Sequence, residues 1–266
     1  MLLRIAYDGA RFAGFARQPT ARTIAGELDG AIAELDPRAR PVIGLSRTDA
    51  GVHARAQLVV FQTNRELPPR AWAHEIGVRL PREIALLAVR RVPATYDPRG
   101  AVRSKTYRYT VLESVTRDPF LEGRAWRVPD RLNHPALSRE VGALLGRHDF
   151  AAFRTRDDER PETVRTILRA EVRTNPCDAR LVEILVTGDG FLHRMVRIIT
   201  GTLVDVARGR LKEGAIAAGL ASRDRDDLGM TAPPDGLVLD SVDVDIPPGE
   251  EWPDHFRSID RSDTVT

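Results

Sequence analysis

The sequence predicts an α+β fold with a largely antiparallel sheet, and three observations support this prediction. Apolar residues recur every three or four positions in some segments and alternate with polar residues in others. The predicted strands and helices lack the regular strand–helix–strand order that is typical of a parallel sheet. Two predicted strands, "TILRAEVRT" and "LVEILVTG", are joined by a turn at Asn175–Pro176.

The first half of the chain begins with a predicted strand and a predicted helix. The strand is "LLRIAYDG", and the helix covers residues 23–35 because apolar residues recur there at helical spacing. A second helix is predicted over 68–79, where two prolines suit a helix N-terminus. Four more strands are predicted in this half: "PVIGLS", "QLVVFQT", "IALLAVRRV" and "AVRSKTYRYTVLES".

The second half contains three further predicted helices and a last strand. Leu137, Val141, Leu144 and Leu145 predict a helix that ends near Gly146. A second apolar face ends near Gly209, and a short helix continues to about Leu220. The second face consists of Phe191, Met195, Ile198, Ile199, Leu203 and Val206. The segment "GLVLDSVDVDI" is predicted to be the last strand.

Length and composition predict two packed lobes and a tail. The chain has 266 residues, 42% of them apolar, which is enough for a substantial core. We expect an N-terminal lobe over 1–110, a C-terminal lobe over 111–245 and an acidic, loosely ordered tail over 246–266. No run of about 18 apolar residues predicts a membrane span, and the N-terminus does not resemble a signal peptide. The single cysteine, Cys177, excludes an internal disulfide framework and favours the cytoplasm.

Charge is unevenly distributed along the chain. The net charge is only +2, but the segment from Asp240 onward has eight acidic residues and two arginines, a net charge of −6. The remaining 239 residues therefore carry +8. A basic body that is rich in arginine suits nucleic-acid binding, although a general bias toward arginine would produce the same composition.

Three groups of polar residues lie at the edges of apolar elements, at residues 47–51, 105–109 and 191–197. A carboxylate such as Asp49 can act as a nucleophile when a nearby cation keeps it ionised, and Arg197 is a candidate for that cation. Tyr107 offers a flat face on which a nucleotide base can stack. If the three groups meet, they form one site for chemistry on a nucleotide.

Each of these residues also has a simpler interpretation. Asp49 and Gly51 are typical of a polar turn. Tyr107 lies on an alternating strand and suits a core position, and Arg197 can extend its charge to solvent. Asp49 and His53 have the spacing of metal ligands on a helix, but Gly51 and the flanking strands argue against a helix, so we expect no metal. The sequence has no phosphate-binding loop, serine-nucleophile or zinc-protease motif.

The motif "SRTDAGVHARAQLVVF" resembles the catalytic motif of the TruA family of tRNA pseudouridine synthases. Other blocks that resemble the family follow in the expected order, from about residue 2 to residue 245. They are "YDGARFAGFARQPTARTIAGEL", "YDPRGAVRSKTYRYTV", "GRHDFAAFR", "GDGFLHRMVRIITGTLVDVARGR" and "APPDGLVLDSV".

The resemblance implies a fold, an activity and roles for particular residues. It implies a mixed, mostly antiparallel central sheet flanked by helices, with two similar lobes around a basic cleft. It also implies a cytoplasmic homodimer that converts uridine to pseudouridine at positions 38, 39 and 40 of the tRNA anticodon stem-loop, without a metal or organic cofactor. Asp49 matches the nucleophile, Arg47 a contact to the flipped nucleotide, Tyr107 a contact to its base and Arg197 the partner of the aspartate. Met195 and Leu237 are expected to add apolar wall.

The chain departs from the family pattern at three places. Phe15-Ala16 stands where the family usually has Trp-Gln, and Gly77-Val78 stands where an asparagine is usual before Leu-Pro. "YDPR" at 96–99 replaces a commoner aromatic–His–Ala–Arg. These changes concern tRNA docking or dimer contacts and leave the catalytic motif intact.

Two other functions fit parts of the sequence. An RNA-binding protein without catalysis would share the basic surface but would not need Asp49. A nucleoside hydrolase usually needs two carboxylates and an activated water, and the matching blocks lack a second candidate. The sequence does not decide whether Asp49 attacks C1′ of the ribose or C6 of the uracil.

Overall fold

The computed structural model describes residues 1–247, and the α+β class predicted from the sequence is confirmed. In these residues the strands are β1 (Leu2–Tyr7), β2 (Ile43–Gly44), β3 (His53–Val60), β4 (Ile84–Arg90), β5 (Val102–Glu113), β6 (Trp126–Val128), β7 (Gly146–Asp149), β8 (Val164–Asn175), β9 (Asp178–Gly188) and β10 (Leu237–Val244). The helices are α1 (Ile24–Leu35), α2 (Pro69–Gly77), α3 (His134–Gly142), α4 (Met195–Ala207) and α5 (Ala215–Ser222). The tail predicted to be loosely ordered lies, from residue 248 onward, outside the described residues.

The chain divides into two compact units. The first unit contains Met1–Arg103 and the described residues from Ser241 onward, and the second contains Ser104–Asp240. The chain therefore passes from one unit to the other within β5 and again within β10. The lobe boundaries predicted at residues 110 and 245 stay a prediction.

In the first unit an antiparallel sheet holds α1 and α2. β1 lies between β3 and β4, with Leu2 opposite both Val60 and Arg90, and β2 pairs with β3. Helix α1 begins where the Thr23 hydroxyl accepts the Gly26 N–H at 3.2 Å, an N-cap that satisfies one free backbone donor. The predicted apolar face of α1 is confirmed, because its four apolar side chains at helical spacing are buried. They are Ile24, Leu28, Ile32 and Leu35.

The second unit contains the longest strands. β9 lies between β5 and β8, all antiparallel, and β7 pairs with the other edge of β8, while the short β6 runs parallel to β5. The sheet is therefore mixed but mostly antiparallel, as predicted. The turn predicted at Asn175–Pro176 is confirmed, since Asn175 pairs with Asp178 at the end of the β8–β9 hairpin. The unit's three helices are α3, α4 and α5, and nearly all of α4 is buried.

Some predicted boundaries were wrong. Helix α3 ends at Gly142, so Leu144 and Leu145 follow it in a turn. The Ala143 N–H closes that helix by donating to the Glu140 carbonyl, and Gly146, with a φ of +101°, begins β7. Phe191 precedes α4 and is not part of its face. Strand β3 begins at His53, earlier than predicted, because the turn before it closes tightly.

Among residues 1–247, no helix is both long and apolar enough to cross a lipid bilayer.

Candidate active site

The sequence around Asp49 forms a tight turn between β2 and β3. The Val52 N–H donates to the Asp49 carbonyl at 3.2 Å, and Gly51 has a φ of +78°. A positive φ at the third position of such a turn favours glycine, because other side chains are strained there. The interpretation of Asp49–Gly51 as a polar turn is therefore confirmed, and the turn is also what presents Asp49.

A second loop of the same unit, residues 8–15, fixes the backbone of this turn. The Gly51 N–H donates to the Phe12 carbonyl at 3.2 Å, and the Phe15 N–H donates to the Thr48 carbonyl at 3.0 Å. A Cβ on Gly9 would lie 2.0 Å from the Val52 carbonyl oxygen, closer than any side chain can approach. The two loops therefore pack backbone against backbone.

Buried side chains anchor the residues that flank Arg47. The Tyr7 hydroxyl and the Thr48 hydroxyl form a buried hydrogen bond of 2.8 Å. The Gln57 side chain accepts the Ser46 N–H at 3.1 Å and donates to the Ser46 carbonyl at 2.7 Å. Ser46 and Thr48 are buried, whereas Arg47 is exposed and Asp49 is half-buried. The motif thus anchors Ser46 and Thr48, while Arg47 between them is exposed.

His53 has a structural position in the same unit. Its buried ring accepts the Gly9 N–H at Nδ1 with a distance of 3.1 Å, and the Asp8 carboxylate lies 3.1 Å from the same nitrogen. Within the described part of the chain, no three His, Cys, Asp or Glu side chains are grouped as metal ligands.

In the second unit, Tyr107 lies on β5 opposite Val186 of β9 and is 6% exposed. Its ring meets Phe191 edge to face, with the ring centroids 5.2 Å apart and the planes at 86°. Such a contact stabilises the pair and restrains the tyrosine ring. The burial of Tyr107 favours its interpretation as a core residue. The contact with Phe191 restrains the orientation of its ring.

Arg197 is the one residue of the fully described helix α4 that is not buried. Its Nε donates to the Ala232 carbonyl at 2.8 Å, and the Ala232 N–H donates to the Arg197 carbonyl at 3.0 Å. The segment after α5 therefore holds both the backbone and the guanidinium of this residue. Met195, two residues earlier in the same helix, is 1% exposed and belongs to the core.

The segment 230–237 packs closely on both α4 and β5. A Cβ on Gly201 of α4 would lie 1.7 Å from the Met230 carbonyl oxygen, so the segment crosses the helix in direct backbone contact. The Tyr109 hydroxyl donates to the Pro233 carbonyl at 2.7 Å, and burial raises the pKa of this hydroxyl far above its usual value. Leu237, which follows, is 5% exposed. The second unit thus brings Arg197, Leu237 and the tyrosine strand together through one segment.

The predicted site residues fall into two sets. Arg47 and Asp49 lie in one turn of the first unit, and Tyr107, Met195, Arg197 and Leu237 lie in the second unit. Sequence reasoning missed the supporting residues Tyr7 and Gln57, and it included Phe191 only as part of the group 191–197 and of the apolar face of α4. The glycines at 9, 14, 51, 188 and 190 were an available signal, since glycine often marks a close backbone approach.

Phe15, one of the departures from the family pattern, is buried in the first unit. It is 3% exposed, and a Cβ on Gly44 would lie 2.3 Å from its ring. The Phe15 side chain thus packs under β2, on the strand that leads into the Asp49 turn. Val78, another departure, is 64% exposed after the end of α2.

The chain is similar in sequence to known proteins over most of its length. A sequence profile described as tRNA pseudouridine synthase matches residues 4–99 and 141–245, which include both sets of site residues except Tyr107. A tRNA pseudouridine synthase A from Citrifermentans bemidjiense is 39% identical over 241 residues, which cover 90% of this chain and 95% of that protein.

Two further relatives have the same name. The tRNA pseudouridine synthase A of Myxococcus xanthus is 38% identical over 240 residues, covering 90% of each protein. That of Bacillus pumilus is 36% identical over 243 residues, covering 91% of this chain and 97% of the relative. The chain therefore belongs to the tRNA pseudouridine synthase family.

Proposed function

We propose that this protein converts uridine to pseudouridine in the anticodon stem-loop of tRNA, at positions 38, 39 and 40, with Asp49 as the nucleophile. The observation that supports this most directly is the position of the half-buried Asp49 on a turn whose backbone is bound by a neighbouring loop. Family membership supplies the class of reaction, and the fixed turn supplies a carboxylate whose position does not depend on the substrate.

The reaction is an isomerisation, so its atoms balance without a co-reactant. The N1–C1′ bond breaks, the uracil rotates, and a C5–C1′ bond forms, while the hydrogen on C5 leaves and N1 gains a proton. Asp49 attacks either C1′ of the ribose or C6 of the uracil, and in both cases it is released when the product forms. The isomerisation involves no net oxidation or reduction, so it needs no oxidant or reductant.

The target uridine has to leave its stack before Asp49 can reach it. We assign Tyr107 to the contact with the extruded base, which its phenol ring keeps in place during rotation. The edge-to-face contact with Phe191 supports this role because it restrains that ring. Arg47 is exposed beside Asp49 and is assigned to a phosphate or ribose of the same nucleotide. Met195 and Leu237 are assigned to the apolar wall.

Arg197 is assigned to keeping the nucleophilic carboxylate ionised, as the family resemblance implies. Its Nε is already bound to the Ala232 carbonyl, which fixes the direction of the guanidinium. Arg197→Lys keeps the charge but loses the planar fork, so we expect kcat to fall more than KM rises. A change in KM alone would contradict this assignment.

The first test is pseudouridine mapping in unmodified tRNA with the wild type and Asp49→Asn. The wild type should form pseudouridine in the anticodon arm, whereas Asp49→Asn should form none and still bind tRNA. Asp243→Asn, at an exposed position of β10, is the matched control and should retain turnover. Normal turnover in Asp49→Asn would overturn the assignment of the nucleophile.

The same assay separates the two other functions. An RNA-binding protein without catalysis would bind the tRNA and leave its uridines unchanged. A hydrolase would release free uracil and leave an abasic ribose, which mass spectrometry of the digested RNA detects. The homodimer and the cytoplasmic location stay predictions. Light scattering at micromolar concentration tests the dimer, because a single mass of about 30 kDa, close to that of one 29.5 kDa chain, would contradict it.

A further inference from the structure

Three cationic side chains of the second unit lie close together near the end of β9. They belong to Lys105, Arg160 and Arg165. Lys105 of β5 lies opposite Gly188, and Ile167 of β8 lies opposite the same glycine. Residues opposite each other in a sheet point to the same face, and so do residues two apart on one strand. Lys105, Tyr107, Ile167 and Arg165 therefore share one face of the sheet.

Glycines leave the space that these long side chains occupy. A Cβ on Gly190 would lie 3.3 Å from Nε and 3.4 Å from Cδ of Arg165, so the Arg165 side chain lies across the backbone there. A Cβ on Gly188 would lie 3.0 Å from Cδ1 of Ile167 and 3.3 Å from the ring of Phe191. The same Phe191 ring meets Tyr107, so the cations and the tyrosine border one patch.

The charges of this patch repel each other. Burial and the neighbouring Arg165 and Arg160 lower the pKa of Lys105 from 10.5 to about 8. Two carboxylates lie in the region. Asp158 pairs with Arg160 and accepts the His193 N–H at 3.0 Å, and Asp189 accepts the Thr166 N–H at 3.0 Å. Neither of these contacts involves Lys105 or Arg165. An anion placed at Lys105 and Arg165 would relieve the repulsion.

The geometry suits a phosphate diester. Arg165 presents a planar fork, Lys105 a compact ammonium, and both are half-buried, so that a bound anion would be partly desolvated. Tyr107 lies two residues along β5 from Lys105, about 7 Å by the rise of a strand. A base at Tyr107 and a neighbouring phosphate at Lys105 can therefore belong to one stretch of RNA.

We propose that Lys105 and Arg165, assisted by Arg160, bind a backbone phosphate of the RNA substrate on the sheet face that carries Tyr107. This inference rests on the proposed function for its choice of ligand. It adds a positioning role for three residues outside the catalytic motif.

The first experiment measures the salt dependence of binding to an unmodified anticodon stem-loop RNA. Loss of one phosphate contact reduces the slope of log K against log salt by about 0.7 to 0.9. For Lys105→Gln, the ratio of affinities at 50 and 200 mM salt should therefore be about threefold smaller than for the wild type. Lys105→Arg should keep the wild-type slope, and Arg165→Gln should behave like Lys105→Gln.

The matched control is Lys212→Gln, since Lys105 and Lys212 are the two lysines of the chain and Lys212 is exposed. Its slope should equal that of the wild type. In turnover assays Lys105→Gln should raise KM and leave kcat nearly unchanged, a division that a general loss of structure would not produce. A wild-type slope for Lys105→Gln would overturn the proposal.

A second experiment needs no variant. Acetylation of the wild-type protein at pH 8, followed by peptide mass spectrometry, reports on both lysines separately. The stem-loop RNA should protect Lys105 and leave Lys212 reactive. Equal reactivity of Lys105 with and without RNA would overturn the proposal, and so would protection without a change of slope, because the RNA would then cover the lysine without a phosphate contact.

The outcome for the proposed function is read separately, by pseudouridine mapping with the same wild-type preparation. If the wild type forms no pseudouridine but Lys105 is protected and the slope falls, the phosphate site stands and the proposed function fails. If pseudouridine forms but neither binding result is obtained, the proposed function stands and this inference fails.

Discussion

The Asp49 turn of the first unit and the Arg197 region of the second unit are held in different ways. The turn is fixed by contacts between two backbones, with Gly9, Gly14 and Gly51 where a side chain would not fit. Arg197 instead projects from a helix whose other residues are buried. Close contact with a neighbouring backbone can therefore hold a loop residue in place, as burial in the core holds a helix in place.

The largest expected effects come from adding a methyl group where backbones touch. Gly9→Ala and Gly201→Ala each place a Cβ within 2.0 Å of a carbonyl oxygen, so each should destabilise its unit by about 3 kcal/mol. Chemical denaturation measures this. Gly30→Ala is the control, because nothing lies within 4 Å of its Cβ in α1, and it should stabilise the protein by about 0.5–1 kcal/mol.

Turnover by Gly9→Ala and Gly201→Ala distinguishes the support of the Asp49 turn from the support of helix α4. Under conditions where both variants remain folded, Gly9→Ala should reduce pseudouridine formation by about 100-fold, because it displaces the turn that carries Asp49. If Gly9→Ala retained full turnover, the contact between the two loops would not position the carboxylate.

A smaller effect is expected at the turn itself. Gly51→Ala places a side chain at a φ of +78°, which should cost about 1–2 kcal/mol. Gly209→Ala, at a φ of +70° with nothing within 4 Å of its Cβ, is the matched control and should have a similar cost. Only Gly51→Ala should also lower kcat. Equal kcat values for the two variants would show that the backbone of the turn tolerates rearrangement.

Two tyrosine hydroxyls allow a finer comparison of the units. Tyr7→Phe removes the hydrogen bond to Thr48, and Tyr109→Phe removes the one to Pro233. Each should cost about 1 kcal/mol in the free energy of unfolding. We expect Tyr7→Phe to lower kcat as well, because Thr48 is adjacent to Asp49. Single-turnover kinetics would reveal whether the loss affects chemistry, and an unchanged rate would contradict this role for Tyr7.

The smallest effect is confined to acid pH. The hydrogen bond from Arg160, with further ones from the His193 and Arg160 N–H groups, holds the pKa of Asp158 far below its usual value. A lowered folded-state pKa means that Asp158 stabilises the fold above the unfolded pKa of about 4 and loses this contribution as pH falls below it. Unfolding curves of the wild type and Asp158→Asn should therefore converge below about pH 4. A constant difference down to pH 2 would contradict this linkage.

Much of the fold was predictable because local patterns agree with it. The apolar face of α1 and the Asn175–Pro176 hairpin follow from spacing and turn chemistry alone. The end of α3 did not, because Leu144 and Leu145 continue the apolar pattern while the Ala143 N–H already closes the helix. Boundaries depend on such single hydrogen bonds, which periodicity does not report.

The candidate site was predictable in part for a different reason. Asp49 and Arg197 were identified from residue type and family resemblance. The contacts that fix them involve the carbonyl oxygens of Thr48 and Ala232, and every residue has such a group. A backbone acceptor leaves no trace in the sequence except through the glycines that allow it to come close.

The division of the chain has a consequence for biosynthesis. Ser104–Asp240 is inserted between two parts of the first unit, whose final part includes Asp245, which donates its N–H to the Ala101 carbonyl at 2.8 Å. On the ribosome, the inserted unit is therefore complete before the unit that surrounds it. The nascent chain has to keep the Asp49 turn in an unfinished unit until the segment that contains Asp245 has emerged.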